Sequence, residues 1–229
     1  ESAARLKKWI TEPNRSNRPV VLFPDVCPDC DAKLVREENP KEPEKVIHRC
    51  PNNLGCQAQV EAGLKHFASR LAMDIDGLGD KLVDQLVDAK LIRTPSDLYG
   101  LTVAQLANLD RMAERSATNL VRAIEASKSQ SLARVLFGLG IRHVGEAVAR
   151  DLSTSFRTID ALLQAEMEEL QAVSGVGPEI AGSMFQWFRN ESNLAEVQRL
   201  RDAGVVFPEV AQQANGSTDL AGKTFVITG

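Results

Sequence analysis

The chain has 229 residues, a formal net charge of −4 and a pI near 5.5, and it is 43% hydrophobic, 25% charged and 5% aromatic. This acidic balance argues against a protein that binds nucleic acid through overall positive charge, although backbone amides or a local basic face can still hold phosphates. No apolar run approaches the ~20 residues of a membrane-spanning helix and no signal-like start is visible, so we expect a cytoplasmic protein without membrane contact.

The first 26 residues combine several short predicted elements. Residues 3–10 predict a short helix, 11–19 a polar loop rich in Pro, Asn and Arg, and 20–23 a short extended run. Beyond them the chain is rich in Ala and Leu, which together with the low aromatic content predicts a mainly α protein.

All four cysteines follow within a short stretch, with the spacing C-x2-C, x19, C-x5-C: Cys27, Cys30, Cys50 and Cys56. Two close pairs joined by a longer loop are typical of tetrahedral Zn²⁺ sites, because each pair turns two thiolates toward one point. Since thiolates would fill all four positions and leave none open for a reactant, we predict a structural zinc ion.

Three other interpretations of these cysteines stay open at this point. Two disulfides are possible, although the chain looks cytosolic. A redox C-x-x-C pair would need a βαβ context, which the sequence around Cys27 does not show. His48 could also replace one thiolate ligand, although it lies in a strand-like run. Residues 37–44 are charged and predict a loop between two short strands, and 57–71 predict a helix.

A short pattern then recurs four times, and each copy reads x-apolar-small-x-x-x-apolar. The copies are Gly77-Leu78-Gly79 with Val83, Arg111-Met112-Ala113 with Ala117, His143-Val144-Gly145 with Ala149, and Gly175-Val176-Gly177 with Ala181. The small residues are spaced by 34, 32 and 32 positions, which indicates stacked supersecondary units. Apolar residues at helical spacing on both sides predict a helix, a tight turn and a second helix in each unit.

Each predicted turn opens into a helix and so presents backbone N–H groups at the positive end of that helix, where anions bind. Repetition at a fixed period suits a ligand with regularly spaced phosphates. Basic residues adjoin three of the turns: Lys81, Arg111, Arg115, Arg142 and His143. The second copy departs from the others, because Ala113 replaces the last glycine and no glycine precedes it. The alternative is an array of helical hairpins in which glycine only permits close packing.

The repeated helical pattern does not continue to the end of the chain. Residues 194–202 predict a last helix that ends at Gly204, 208–219 a polar linker, and 220–229 the start of a strand. Gly222-Lys223-Thr224 is similar to the end of the phosphate-loop motif G-x-x-x-x-G-K-T. However, Gly216 lies one residue too far upstream to be the first glycine of that motif, and the predicted strand follows the lysine instead of preceding the glycines. We therefore expect no nucleotide site here.

Taken together, the hairpin pattern resembles tandem helix-hairpin-helix motifs, and the order of modules resembles the C-terminal half of bacterial NAD-dependent DNA ligases. The four cysteines, residues 140–145 and residues 220–229 carry most of that resemblance. It implies a tail of an OB-fold-like region at 1–23, a four-cysteine zinc finger at 24–60, a four-repeat helix-hairpin-helix DNA-binding domain at 61–207, a linker at 208–219, and the truncated first strand of a BRCT domain at 220–229.

The resemblance also implies a function. The chain would be the non-sequence-specific DNA-binding portion of a bacterial, cytoplasmic ligase, gripping the phosphate backbone of nicked duplex DNA for nick sealing in replication and repair. The implied phosphate contacts are Gly77, Gly79, Lys81, Arg142, Val144, Gly145, Gly175 and Gly177. NAD and Mg²⁺ would act only in the missing adenylation part, because no lysine of this sequence is followed by x-Asp-Gly. We expect an inactive fragment that is monomeric and whose partners are nicked DNA and the adenylation and OB-fold domains of the same chain.

Two other functions stay open. A stand-alone helix-hairpin-helix repair adaptor that brings DNA to a nuclease predicts no BRCT continuation. A helical interaction scaffold predicts no salt-sensitive affinity for DNA.

Overall fold

The computed structural model of the chain describes residues 10–13, 19–21, 24–39, 42–52 and 55–211. The predicted BRCT strand at 220–229, most of the predicted linker and most of the predicted helix at 3–10 lie outside these residues. Contacts between residues divide the chain into two compact units. The first holds the described residues up to Lys65 together with Gly79–Leu98, and the second holds His66–Leu78 and the described residues from Tyr99 onward.

The strands of the first unit form two antiparallel pairs. Strand β1 (Ile10–Pro13) pairs with β2 (Pro19–Val21), and β3 (Val35–Asn39) pairs with β4 (Glu42–Arg49). The two short strands predicted here are confirmed, but the predicted bounds of the loop between them, 37–44, were wrong, because β3 continues to Asn39, β4 begins at Glu42 and Glu37 pairs with Ile47. The ladder uses backbone groups, and a two-stranded sheet does not need an apolar residue at every second position.

The rest of the described chain is helical, which confirms the predicted mainly α fold. The α-helices are α1 (Gln57–Ala68), α2 (Asp80–Asp88), α3 (Val103–Ala107), α4 (Glu114–Ser127), α5 (Leu132–Gly138), α6 (Glu146–Phe156), α7 (Ile159–Gln164), α8 (Met167–Gln171), α9 (Pro178–Arg189) and α10 (Glu191–Asp202). A 3₁₀ helix, Pro95–Gly100, lies between α2 and α3. None of the described helices is long and apolar enough to cross a bilayer.

Side-chain caps set the first residue of several helices. The Oγ1 of Thr102 accepts the N–H of Gln105 at 3.3 Å at the start of α3. Asn190 accepts the N–H groups of Ser192 and Asn193 at 3.0 and 3.2 Å. Helix α10 therefore begins at Glu191, three residues earlier than predicted, because a capped start satisfies N–H groups that the helix itself leaves without acceptors.

The four helices that follow the repeated turns bury the same positions. Their fourth residues are all fully buried: Val83, Ala117, Ala149 and Ala181. Their seventh residues are 0–2% exposed: Leu86, Leu120, Leu152 and Met184. In the second unit, α3 packs against α4, α5 against α6, and α8 against α9. Burial of each large side chain contributes about 1.5–3 kcal/mol, so this shared stripe fixes which face of each helix points away from the core.

Candidate metal centre and phosphate-binding turns

The four cysteines come together in the first unit. The Sγ atoms of Cys27 and Cys56 are 3.8 Å apart, those of Cys30 and Cys50 are 3.6 Å apart, and all four lie within 4.8 Å of one another. Four thiolates at ~2.3 Å from a tetrahedral Zn²⁺ lie about 3.8 Å from each other, so the cluster fits this ion. All four cysteines are free, and these separations far exceed the ~2.05 Å of a disulfide bond.

Secondary structure places each pair. Cys27 and Cys30 lie on a turn in which the N–H of Cys27 donates to the carbonyl of Ala32 at 2.8 Å. Asp31 closes this turn with a φ of 57°, and its N–H donates to the carbonyl of Cys27 at 2.9 Å. Cys50 directly follows β4, and Cys56 directly precedes α1. His48, the alternative ligand, is not among the residues that the cluster brings together.

The thiols of the cluster differ in acidity. The backbone N–H of Ala32 lowers the pKa of Cys30 to about 7, and the hydrogen bond with Cys50 acts in the same direction against burial. The backbone N–H of Asn52 lowers the pKa of Cys50, but burial and the neighbouring sulfurs outweigh it and raise that pKa to about 12. Burial also raises the pKa of Cys56. Zinc binds thiolates, so its binding would displace these protons and would weaken in acid.

The four repeated turns share one backbone conformation. The first residue of each turn has a positive φ: 84° at Gly77, 60° at Arg111, 65° at His143 and 79° at Gly175. The N–H of the next, apolar residue donates to the carbonyl three residues earlier at 3.0–3.2 Å in every copy. The turn without glycine therefore has the same geometry as the others, although Arg111 and His143 occupy a region that costs L-residues about 1–2 kcal/mol.

The third residue of each turn caps the following helix in an extended conformation. Gly79, Gly145 and Gly177 have φ between −83° and −80°, and Ala113 has −74°. Any residue adopts such an angle. A Cβ added at these three glycines would meet no atom within 4 Å. Neither backbone conformation nor packing within the described chain therefore explains why glycine stands at these three positions.

Behind each cap lies a set of N–H groups without acceptors. The N–H groups of Gly79, Asp80 and Lys81 have none among the described residues, and those of Gly145, Glu146 and Ala147 have none either. At the fourth turn Pro178 has no N–H, which leaves Gly177 and Glu179. These groups lie at the positive ends of helices, where anions are held by backbone amides.

The predicted contact residues occupy different places in this geometry. Gly79, Gly145 and Gly177 are caps, Gly77 and Gly175 are the first residues of their turns, and Lys81 and Arg142 are exposed beside them. Val144 differs, because it is 6% exposed and its N–H donates to Ile141 at 3.0 Å. It anchors the turn from the core side, as do Leu78 and Val176, which are 7% and 6% exposed.

Charges around the turns are mixed. The first turn of each helix holds a carboxylate, from Asp80, Glu114, Glu146 or Glu179, which favours the helix but opposes a bound anion. Cations adjoin the first turn at Lys81, the second at Arg111 and Arg115, and the third at Arg142, next to His143. Residues 174–179 of the fourth turn contain no cation.

Comparisons with known proteins match both the cysteine cluster and the repeated turns to family models. A model of the NAD-dependent DNA ligase C4 zinc finger domain matches residues 26–58. A model of the SAM-like helix-hairpin-helix tandem matches 69–126, and one of the helix-hairpin-helix motif matches 134–197.

A DNA ligase of Syntrophus aciditrophicus (strain SB) is 47% identical over 217 residues, which are 94% of this chain and 31% of the relative. The chain thus spans less than a third of the length of that relative. On the zinc finger, the paired hairpins and this identity, the chain belongs to the NAD-dependent DNA ligase family, of which it carries the four-cysteine zinc finger and the helix-hairpin-helix motifs.

Proposed function

We propose that this chain is the DNA-holding portion of an NAD-dependent DNA ligase. The repeated turns, within a helix-hairpin-helix domain at 61–207, bind the phosphate backbone of nicked duplex DNA without reading its sequence. The zinc finger at 24–60 fixes their position relative to the OB-fold and adenylation domains of the same ligase. The protein works as a monomer in the bacterial cytoplasm, where it supports nick sealing in replication and repair.

The observation that carries this proposal is the glycine at three of the four helix caps. Neither an unusual φ nor a close contact within the described residues requires glycine at these three caps. Glycine does allow another molecule to approach the backbone closely. The N–H groups exposed at these caps are suited to phosphate oxygens, and contacts with phosphates hold DNA without carrying sequence information.

The zinc site has a supporting role in this proposal. Cys27, Cys30, Cys50 and Cys56 would hold Zn²⁺, which supplies a cross-link between β4, the N-terminal turn and α1. Since its four ligands all come from the protein, the ion has no open position for a reactant. The thiols also line a small apolar cluster with Ala32 and Leu34, so the segment folds around the metal.

Catalysis belongs to another part of the ligase in this proposal. The 229 residues contain no lysine followed by x-Asp-Gly, so NAD and Mg²⁺ would be used elsewhere. We expect that the chain alone, supplied with NAD and Mg²⁺, does not join a nick.

Binding to fluorescently labelled duplexes across a salt series tests the proposal. We expect zinc-loaded protein to bind nicked duplexes of two unrelated sequences with equal affinity, and log K to fall with log salt by about 0.9 for each phosphate held by a cation. A strong preference for one sequence, or no binding at about 50 mM salt, would refute it.

A further inference from the structure

We propose that helix α4 carries a second kind of phosphate site, formed by the side chains of Arg115, Asn119 and Arg122. The proposal rests on the proposed function, and adds a contact surface that lies outside the four turns. Its ligand is the DNA backbone beside the second turn, held by guanidinium and amide groups in place of backbone N–H groups.

The three side chains share one face of the helix. Residues at i, i+4 and i+7 lie above one another on an α-helix, and the two arginines are separated by about 10.5 Å along its axis. They line an open groove of about 450 Å³ together with Glu114 and Thr118. Arg115, Asn119 and Arg122 are all exposed, so the groove opens to solvent along two helical turns.

The charges in this groove favour an anion. Among the described residues, neither Arg115 nor Arg122 has an ion-pair or hydrogen-bond partner, whereas Lys128 of the adjoining segment is paired with Glu125 at 2.6 Å. The Glu114 carboxylate is the acidic group of the groove, so two cations face one anion. Guanidinium groups bind phosphate oxygens through two parallel hydrogen bonds, which a single carboxylate nearby does not prevent.

Comparison of the four repeat helices shows that this stripe is particular to α4. At the second helical position the helices have Lys81, Arg115, Ala147 and Glu179. At the ninth they have Asp88, Arg122, Thr154 and Gln186. A cation stands at both positions only in α4, which is also the helix whose turn lacks glycine.

These two departures compensate for each other. At the second turn, Ala113 adds a methyl group at the cap position that Gly79, Gly145 and Gly177 leave without a side chain, so a phosphate would stay farther from the N–H groups there. Arginine side chains reach across that extra distance. The second hairpin therefore keeps the geometry of the others and holds phosphate by side-chain charge.

The double variant Arg115→Gln with Arg122→Gln tests this site, because it removes both charges and keeps polar, helix-compatible side chains. The matched control is Arg70→Gln with Lys90→Gln, which removes two exposed cations that belong to neither α4 nor a repeated turn. Each protein is titrated into labelled nicked duplex between about 50 and 200 mM salt, and helix content and thermal midpoint are compared by circular dichroism.

We expect the test variant to lower the salt slope by about 1.8 and the affinity roughly 60-fold at about 0.1 M salt, with the control near wild type. If the wild-type chain binds DNA and the two double variants show equal slopes of log K against log salt, the α4 site is overturned and the proposed function stands. Absence of DNA binding by the wild-type chain would overturn both. If the test variant loses helix content, the single variant Arg122→Gln is used in its place. It should then lower the slope of log K against log salt by half as much as expected for the double variant, and an unchanged slope would overturn the α4 site.

Discussion

Replacement of Gly145 by valine separates the role of the third turn in folding from its role in binding. Gly145 caps α6 with φ −83° and ψ 177°, a conformation that valine adopts readily. A Cβ at this position meets no atom within 4 Å. Gly145→Val therefore places three carbon atoms beside the exposed N–H groups and leaves the turn itself unchanged.

The two expected effects differ in size. Valine is a poorer helix cap than glycine, so the substitution should change the free energy of unfolding by about 1 kcal/mol or less. Binding should suffer much more, because a hydrogen bond to a charged group is worth about 1.5–3 kcal/mol. Loss of one such bond from the N–H groups of Gly145 and Glu146 corresponds to roughly 10- to 150-fold weaker affinity.

Fluorescence anisotropy with labelled nicked duplex measures the affinity, and urea unfolding measures the stability. Gly100→Val is the matched control, since Gly100 is exposed, has no positive φ and also has open space around its added Cβ. We expect the control to bind as the wild type does. Because a neutral amide releases few counterions, Gly145→Val should lower the affinity while changing the salt slope by less than about 0.9.

Equal affinity of Gly145→Val and Gly100→Val for DNA, with both proteins folded, would refute the assignment of the third turn. A fall in stability of more than about 1 kcal/mol would instead contradict the observation that the space around Gly145 is open, and would assign the glycine to folding.

Three further predictions concern the metal, the turns and pH. Cys56→Ser should lower the zinc content measured by atomic absorption, and full retention would mean that another ligand completes the site. Gly175→Ala should lower the free energy of unfolding measured in urea by about 1–2 kcal/mol because φ is 79°, whereas Gly177→Ala at φ −83° should lower it by less than about 1 kcal/mol, since only the capping preference is lost. Burial raises the pKa of Tyr99 from 10.0 to about 12, so the folded chain keeps a proton that the unfolded chain loses, and stability should fall as the pH rises through this window. Tyr99 is the only tyrosine, so tyrosinate absorbance reports it alone, and an ordinary titration midpoint in the folded protein would contradict its burial.

The features that the sequence predicted are those fixed by local chemistry. The spacing of Cys27, Cys30, Cys50 and Cys56 indicated one metal cluster, because thiolate ligands must converge whatever the surrounding fold. The period of the turns indicated four equivalent hairpins, because each helix must bury the same stripe to pack.

Other features depend on tertiary structure and could not be predicted. Positive φ at Arg111 and His143 is unfavourable for an isolated residue, and it is stabilised here by the packing of helices on both sides. The ion pairs of Lys65 and Arg189 likewise depend on which residues the fold brings together, and so does the lack of partners at Arg115 and Arg122 within the described part of the chain. The groove on α4 was missed for this reason, although cations spaced by seven positions were a usable signal.

Under the proposed function, an acidic chain would hold DNA by dividing the task between backbone amides and two arginines, Arg115 and Arg122, that have no partner among the described residues. Backbone N–H groups at the caps add no formal charge, so they do not raise the net charge of −4. Carboxylates in the first turns stabilise the helices and limit how tightly any one site binds. Several weak sites would then together give a grip that depends on the spacing of phosphates and not on the bases, and the proposed α4 stripe would supply the part that salt weakens most.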